Sequence, residues 1–245
     1  MAQESLPGSW ALIVQAWRLY RNRFELLIGI TALPALITLI IGGVAVYFKA
    51  PGNQLGDGAT LTLGILTLVG VVIYCYFSLW SQAAVIKALA PGGEALNLKK
   101  AYSVSQSYII SLLVVAVLGG LAVLLGFILL IIPAIIVLLW IGQINYLVVL
   151  ENLTGMAVFK ANYRLVIGHS WSVLWRMICF GLLYGAAVVV LNILIVLIPG
   201  QNDVTRLFFG CLTGMFLSPF VLAYGYQLYS SLKRLPAKVS SAPSA

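Results

Sequence analysis

Few residues of this chain could carry acid–base, nucleophilic or metal chemistry, and their spacing keeps them apart. His169 is the single histidine among 245 residues, and the three cysteines have neither the Cys-x-x-Cys nor the Cys/His spacing of a metal site. The acidic residues fall in loops or at the ends of apolar segments: Glu4, Glu25, Asp57, Glu94, Glu151 and Asp203. We therefore predict a non-enzymatic protein without catalytic, cofactor or metal residues. We interpret His169 as a polar residue at a membrane interface, with a role as proton donor or phosphate contact as the alternative.

Basic residues are the second chemical resource of the chain, and they suit contact with phosphate groups. Fourteen Lys and Arg stand against six Asp and Glu, which gives a net charge of +8. Most lie between or beside the long apolar runs, where anionic lipid headgroups are natural partners and nucleic acid need not be invoked. The residues predicted to face headgroups are Arg18, Arg21, Arg23, Lys99, Lys100, Lys160, Arg164 and Arg176.

Neutral polar residues form a third group, inside the apolar runs themselves. Gln143, Asn145 and Asn192 are the candidates for a polar path, while interhelical hydrogen bonding is the ordinary role of such residues. Ion-coupled transporters and proton pumps usually place charged residues deep within the bilayer, and none is predicted in the middle of a span in this chain. The pattern therefore argues against a coupled pump more strongly than it supports a path for a lipid headgroup.

The elements that position these residues follow from hydropathy. The chain is 62% hydrophobic and 8% charged, whereas a soluble domain carries about 25% charged residues. Residues 108–150 form a run of 43 residues without charge, which is long enough for two spans at about 20 residues each. The sequence predicts an all-α, single-domain, polytopic membrane protein over residues 1–235, followed by a short disordered cytoplasmic tail, 236–245. The six predicted spans are residues 26–48, 60–86, 108–129, 131–150, 172–198 and 207–232.

Twelve Lys and Arg residues fall on one side of this six-span arrangement, and only Lys49 and Arg206 on the other. The positive-inside rule then places both termini in the cytoplasm. On the same side, residues 9–25 have the pattern of an amphipathic interfacial helix, with aromatic side chains suited to the headgroup level. Residues 97–107 and 152–170 could form two more. The sequence thus predicts three units, each an interfacial helix followed by a hairpin of two spans.

Several short motifs resemble a bacterial superfamily of membrane domains. They are the apolar run that ends at Pro133, the segment 146–152 that ends in Glu151 and Asn152, the Gly155-Met-Ala stretch before a basic helix, and the aromatic and basic residues of 16–24. This pattern is similar to the superfamily that includes the membrane domain of glycerophosphoryl diester phosphodiesterases and the YciC-like inner-membrane proteins. The resemblance implies structural roles for Pro133, Glu151 and Gly155. One departure is Ala134, where the superfamily usually has glycine.

The resemblance implies a six-span module in the bacterial inner membrane. It implies no diesterase activity, because that activity belongs to a separate soluble domain that this sequence does not contain. The leading hypothesis is a non-enzymatic protein that interacts with phospholipids and supports envelope or lipid homeostasis. The alternatives are a transporter or permease subunit for a small amphiphile, and an accessory or scaffold subunit of a membrane-protein partner. The ligand, the partner and the oligomeric state stay open at the level of sequence.

Overall fold

A computed structural model of the chain describes residues 6–49, 57–129, 142–166, 169–198, 200 and 202–235. Within these ranges the secondary structure consists of helices and turns, without a strand. The α-helices are α1 (Ser9–Asn22), α2 (Phe24–Lys49), α3 (Asp57–Leu89), α4 (Leu98–Ser105), α5 (Ile109–Leu129), α6 (Ile144–Glu151), α7 (Met156–Val166), α8 (Ser170–Val196) and α9 (Asp203–Arg234).

Five described segments are long and apolar enough to cross a membrane. They lie in α2, α3, the continuous α4–α5 segment, α8 and α9: Phe24–Phe48, Leu61–Leu89, Leu98–Leu124, Ser170–Val196 and Asp203–Arg234. The prediction of an all-helical, multi-pass membrane protein is thereby confirmed. The predicted fourth span is described only in its last part, α6. Pro133 and most of that span lie outside the described residues, as does the predicted tail 236–245, so the count of six and the three-unit arrangement stay predictions.

Each of the three predicted amphipathic segments contains a helix, and these helices are α1, α4 and α7. The first ends earlier than predicted, because the backbone leaves helical geometry at Arg23 and α2 starts at the next residue. A stripe at helical spacing, Leu12, Ala16 and Tyr20, is buried against the rest of the protein. Trp10 and Trp17 lie beside this stripe and are 72% and 52% exposed, and the Trp17 ring also contacts Tyr20 and Phe220. Exposed tryptophans on a helix beside a span suit the interface between headgroups and hydrocarbon.

The turn between α6 and α7 depends on left-handed backbone geometry. Asn152 ends α6 with a φ of 55°, and Gly155 precedes α7 with a φ of 57°. Glycine and asparagine tolerate this region best. In other residues the Cβ atom comes too close to the following carbonyl oxygen, whereas glycine has no Cβ and the short polar side chain of asparagine can form a local hydrogen bond. The turn redirects the chain from α6 into the amphipathic helix α7 within four residues, and this is a backbone reason for glycine at position 155.

Two prolines inside spans leave backbone carbonyls without their usual helical donor, and neighbouring helices supply one. Pro34 has no N–H, and the Ile30 carbonyl accepts hydrogen bonds from the Tyr102 hydroxyl at 2.6 Å and from the Ser81 hydroxyl at 3.3 Å. Pro219 of α9 likewise deprives the Met215 carbonyl of its donor, and the Thr31 hydroxyl of α2 donates to it at 3.0 Å.

The Pro219 region receives a second donor from α1, since the Tyr20 hydroxyl binds the Phe216 carbonyl at 3.1 Å. A free carbonyl in hydrocarbon costs several kcal/mol when nothing satisfies it. These hydrogen bonds join α2 to α3 and α4 near Pro34, and α9 to α1 and α2 near Pro219.

Helix α9 lies at the centre of the described structure and packs against α1, α2, α3 and α8. One hydrophobic core joins α1, α2, α3 and α9, with residues such as Leu12, Leu27 and Leu228 fully buried. A second core joins α3, α5, α6 and α7 around Ile86, Leu112 and Ile144. The outer faces of α3, α5 and α8 expose many large aliphatic side chains, as expected for surfaces in contact with lipid.

Candidate functional site

The eight basic residues predicted to face headgroups fall into two structural groups. Arg23 belongs to the first, with a side chain only 11% exposed. Its guanidinium donates to the backbone carbonyls of Ala88 and Ala90 at the end of α3, and pairs with Glu94 at 3.0 Å. The last carbonyls of a helix have no partner within it, so Arg23 acts as a cap supplied by a distant part of the chain. Its position at the break between α1 and α2 makes this contact possible.

Arg176 also binds protein rather than pointing freely into the surroundings. Its Nε and Nη2 donate to the carbonyls of Pro7 and Leu6 at 2.8 and 2.9 Å. Its Nη1 donates to the backbone carbonyl of Ser172 at 2.7 Å. The guanidinium thus ties the segment before α1 to the start of α8. Neither Arg23 nor Arg176 presents the free cationic group that the sequence prediction assigned to it.

The other six basic residues are exposed on α1, α4 and α7: Arg18, Arg21, Lys99, Lys100, Lys160 and Arg164. Lys160 and Arg164 differ from the rest because both also line a groove. The groove has a volume of about 530 Å³ between α5 and α7, and Leu118, Ala122 and Phe159 form part of its wall. Lys160 and Arg164 lie one helical turn apart, so their charges share one face of α7.

Asn162 also borders the groove, but its side chain lies on the buried face of α7. The residue is 1% exposed, and among the described residues its Oδ1 has no hydrogen-bond partner. A buried amide oxygen without a partner costs about 1–3 kcal/mol, which a donor from a ligand or a water would recover. The open part of the groove therefore combines two cations with an apolar wall.

A second cavity lies among the spans, with a volume of about 590 Å³ between α2, α3 and α9, closed on one side by Tyr184 of α8. Its lining alternates apolar groups with neutral polar ones, and the polar members on the described helices are Thr31, Thr38, Tyr74, Ser78, Ser81, Gln82, Tyr184 and Ser218. On α9 the lining extends from Leu207 to Leu222. At 1.5 Å per residue this is about 22 Å, most of the thickness of a hydrocarbon core.

The three candidates for a polar path do not meet in one place. Asn145 donates to Gln82 Oε1 at 3.4 Å, which places it beside the cavity. Gln143 is 1% exposed, and its Oε1 has no hydrogen-bond partner among the described residues. Asn192 is exposed on α8 and binds the Val188 carbonyl of its own helix at 2.8 Å. Among the described residues, Asn145 is the one candidate that connects to the cavity through a hydrogen bond.

Sequence reasoning missed most of the cavity, although part of its pattern was visible. Gly210, Gly214 and Ser218 recur every four residues, and Ser78 and Gln82 have the same spacing. Such spacing places small and polar groups on one face of a helix. Which helix faces that stripe depends on tertiary packing, so the sequence could indicate two polar faces but not their common cavity.

Glu151 has a structural role close to the groove. Its Oε1 accepts hydrogen bonds from the Tyr229 hydroxyl at 2.5 Å and from Lys233 Nζ at 3.0 Å. Partial burial alone would raise the pKa of this carboxyl, but the two donors and the lysine charge together lower the pKa below its ordinary value of 4.5. The carboxylate therefore joins the end of α6 to the end of α9.

No group of three or more His, Cys, Asp or Glu residues that could hold a metal occurs in the part of the chain that the structure describes. Comparison of the chain with protein-family models, with curated proteins and with solved structures gave no match. What the site can do therefore has to be argued from its chemistry. Two arrangements stand out, a cationic groove at the end of the spans and a neutral polar cavity between them.

Proposed function

We propose that this chain is a non-enzymatic, multi-pass protein of the bacterial inner membrane that binds anionic phospholipid in the groove between α5 and α7. Both termini lie in the cytoplasm in this proposal, because the basic residues are concentrated on that side. Through lipid binding the protein supports envelope or lipid homeostasis. The resemblance to the membrane-domain superfamily belongs to the same proposal.

The observation that carries the proposal is the composition of the groove. Lys160 and Arg164 line it together with Leu118, Ala122 and Phe159, so charge and apolar surface adjoin within one cavity of about 530 Å³. A phospholipid has the same division, with an anionic phosphate next to acyl chains. A basic residue near an anionic surface contributes about 1 kcal/mol, and guanidinium and ammonium groups both bind phosphate oxygens well.

The test is to replace both cations in the groove and measure phospholipid binding. Lys160→Gln with Arg164→Gln removes two contributions of about 1 kcal/mol, so we expect roughly 30-fold weaker binding of fluorescent phosphatidylglycerol to the purified protein. Phosphatidylcholine analogues should bind weakly to both forms. Orientation is checked first by the accessibility of terminal tags, because the same charges set topology.

The matched control is Lys99→Gln with Lys100→Gln, which removes the same charge from exposed positions outside the groove. We expect a change of about threefold or less in this control. Equal losses in the two double variants would mean that binding depends on overall charge, and the groove would then not be a phospholipid site.

A second function, transport of a small amphiphile, is favoured by one observation. The cavity between α2, α3 and α9 extends over about 22 Å, which is long enough to form part of a route across the bilayer. Asn145 adjoins it through Gln82. In this alternative, substitution of Gln143 and Asn145 with leucine abolishes flux in proteoliposomes while the protein still folds.

Native mass spectrometry of gently purified protein distinguishes both functions from an accessory role, since a stoichiometric protein partner would favour the accessory role.

A further inference from the structure

The cavity between α2, α3 and α9 has polar groups whose hydrogen-bonding capacity the protein does not use. The hydroxyls of Thr31, Thr38 and Ser81 donate to backbone carbonyls. In contrast, five other lining groups have side-chain donors without a partner among the described residues. They are the hydroxyls of Tyr74, Ser78, Tyr184 and Ser218, and the amide NH₂ of Gln82. In a bilayer each unsatisfied polar group is costly, because the hydrocarbon supplies no hydrogen bonds.

The charge of the lining limits what can satisfy these donors. All its described members are neutral. Arg206 precedes Leu207 at one end of the lining, but it is not part of the lining and has an interaction of its own. A phosphate in this cavity would be a buried charge without a counter-charge, which is strongly unfavourable. Hydroxyl and carbonyl oxygens, in contrast, accept hydrogen bonds from serine, tyrosine and glutamine side chains at little desolvation cost.

The apolar part of the lining and the shape of the cavity indicate a chain-like ligand. Pro34, Leu207, Met215, Val221 and Leu222 line the cavity between the polar groups. The volume of about 590 Å³ falls within the range of about 300–1,000 Å³ that is typical of small-molecule sites. A length of about 22 Å along α9 suits an extended acyl chain better than a compact solute.

We propose that this cavity binds an uncharged glycerolipid of the diacylglycerol type. Its hydroxyl and ester oxygens accept hydrogen bonds from Ser78, Gln82 and Tyr184, and one acyl chain occupies the apolar length of the cavity. This site is separate from the groove between α5 and α7, and it selects lipids without a charged headgroup. The proposal does not depend on phospholipid binding at that groove.

A substitution that fills the cavity tests the proposal. Gly214 lines the cavity, and a Cβ built there meets no other atom within 4 Å, so the backbone accepts a side chain that then projects into the space. We expect Gly214→Leu to weaken binding of fluorescent dioleoylglycerol to purified protein by about tenfold or more. Gly181→Leu is the matched control, since a Cβ there also meets nothing and the residue is exposed on α8. Unchanged binding in Gly214→Leu would overturn the proposal.

Two further variants separate this site from the phospholipid groove. Ser78→Ala removes one hydrogen bond and should weaken dioleoylglycerol binding about fivefold while leaving phosphatidylglycerol binding unchanged. Lys160→Gln with Arg164→Gln should have the reverse effect. If phosphatidylglycerol competes with dioleoylglycerol as well as unlabelled dioleoylglycerol does, the cavity does not select uncharged lipids and the proposal is wrong.

A native cysteine gives a test that needs no substitution in the cavity. Cys211 lines it, and Cys75→Ser with Cys179→Ser leaves Cys211 as the single thiol. A small thiol reagent added to protein in detergent should label Cys211, and dioleoylglycerol should slow the labelling several-fold where phosphatidylglycerol does not. Labelling at the same rate with and without dioleoylglycerol would contradict occupation of the cavity by this lipid.

Discussion

The Thr31 hydroxyl lies 3.0 Å from the Met215 carbonyl, to which Pro219 cannot donate. The same hydroxyl also lies 3.1 and 3.3 Å from the Leu27 and Ile28 carbonyls of its own helix. Thr31→Val removes the hydroxyl with little change in shape and leaves the carbonyl without a partner among the described residues. An unsatisfied buried acceptor costs about 1–3 kcal/mol, while hydrogen bonds between membrane helices average about 0.6 and reach about 1.7 kcal/mol. We therefore expect Thr31→Val to lower the free energy of unfolding by about 1–1.5 kcal/mol.

Thermal unfolding in detergent, followed by tryptophan fluorescence, measures this change. At about 2–4 °C per kcal/mol for a chain of this size, Tm should fall by roughly 2–6 °C. Thr38→Val is the matched control, because the Thr38 hydroxyl binds the Pro34 carbonyl of its own helix at 2.9 Å, one turn away. That carbonyl lies within the helical ladder and keeps a backbone donor, so Tm should change by about 1 °C or less.

A double-mutant cycle tests the cause. Pro219→Ala restores an N–H that can bind the Met215 carbonyl within α9. In this background Thr31→Val should cost about 1 kcal/mol less than in the wild-type protein, because the carbonyl no longer depends on Thr31. If the cost of Thr31→Val is the same with proline and with alanine at position 219, the proline does not explain the contact and the reasoning is refuted.

Two further predictions concern charged contacts outside the span interiors. Arg23→Lys keeps the charge that sets topology but loses the forked contact of the guanidinium with the end of α3. We expect the free energy of unfolding to fall by about 2 kcal/mol and Tm to fall by about 4–8 °C. Arg21→Lys, at an exposed position, is the control and should change Tm by about 1 °C or less. Glu151 has a folded-state pKa below 4.5, so its contribution to stability is present above that pH and is lost as the pH falls through the folded pKa. Tm should therefore decline more steeply below pH 4.5 in the wild-type protein than in Glu151→Gln, and parallel curves would contradict this role for the carboxylate.

The sequence predicts the membrane architecture because the bilayer imposes a local constraint. A segment that crosses hydrocarbon must be apolar and about 20 residues long, and this property is visible in the sequence without knowledge of its neighbours. The same holds for the amphipathic helices α1, α4 and α7, whose polar and apolar residues alternate with helical spacing. For this reason five of the predicted spans correspond to described helices, and the helix ends lie within about four residues of the predicted ends.

The roles of single residues depended on long-range packing. Arg23 and Lys160 look alike in the sequence, yet the structure places one against the carbonyls at the end of α3 and the other at an exposed groove. The hydroxyls of Thr31 and Tyr102 donate to the carbonyls of Met215 and Ile30, which lack a helical donor because of the prolines four residues later. Hydropathy depends on each segment alone, whereas a cavity or a cap depends on which helices meet. The sequence alone therefore determined where the long helices form and that they lie in a bilayer. Only the tertiary structure decided which polar groups were left free to bind a ligand.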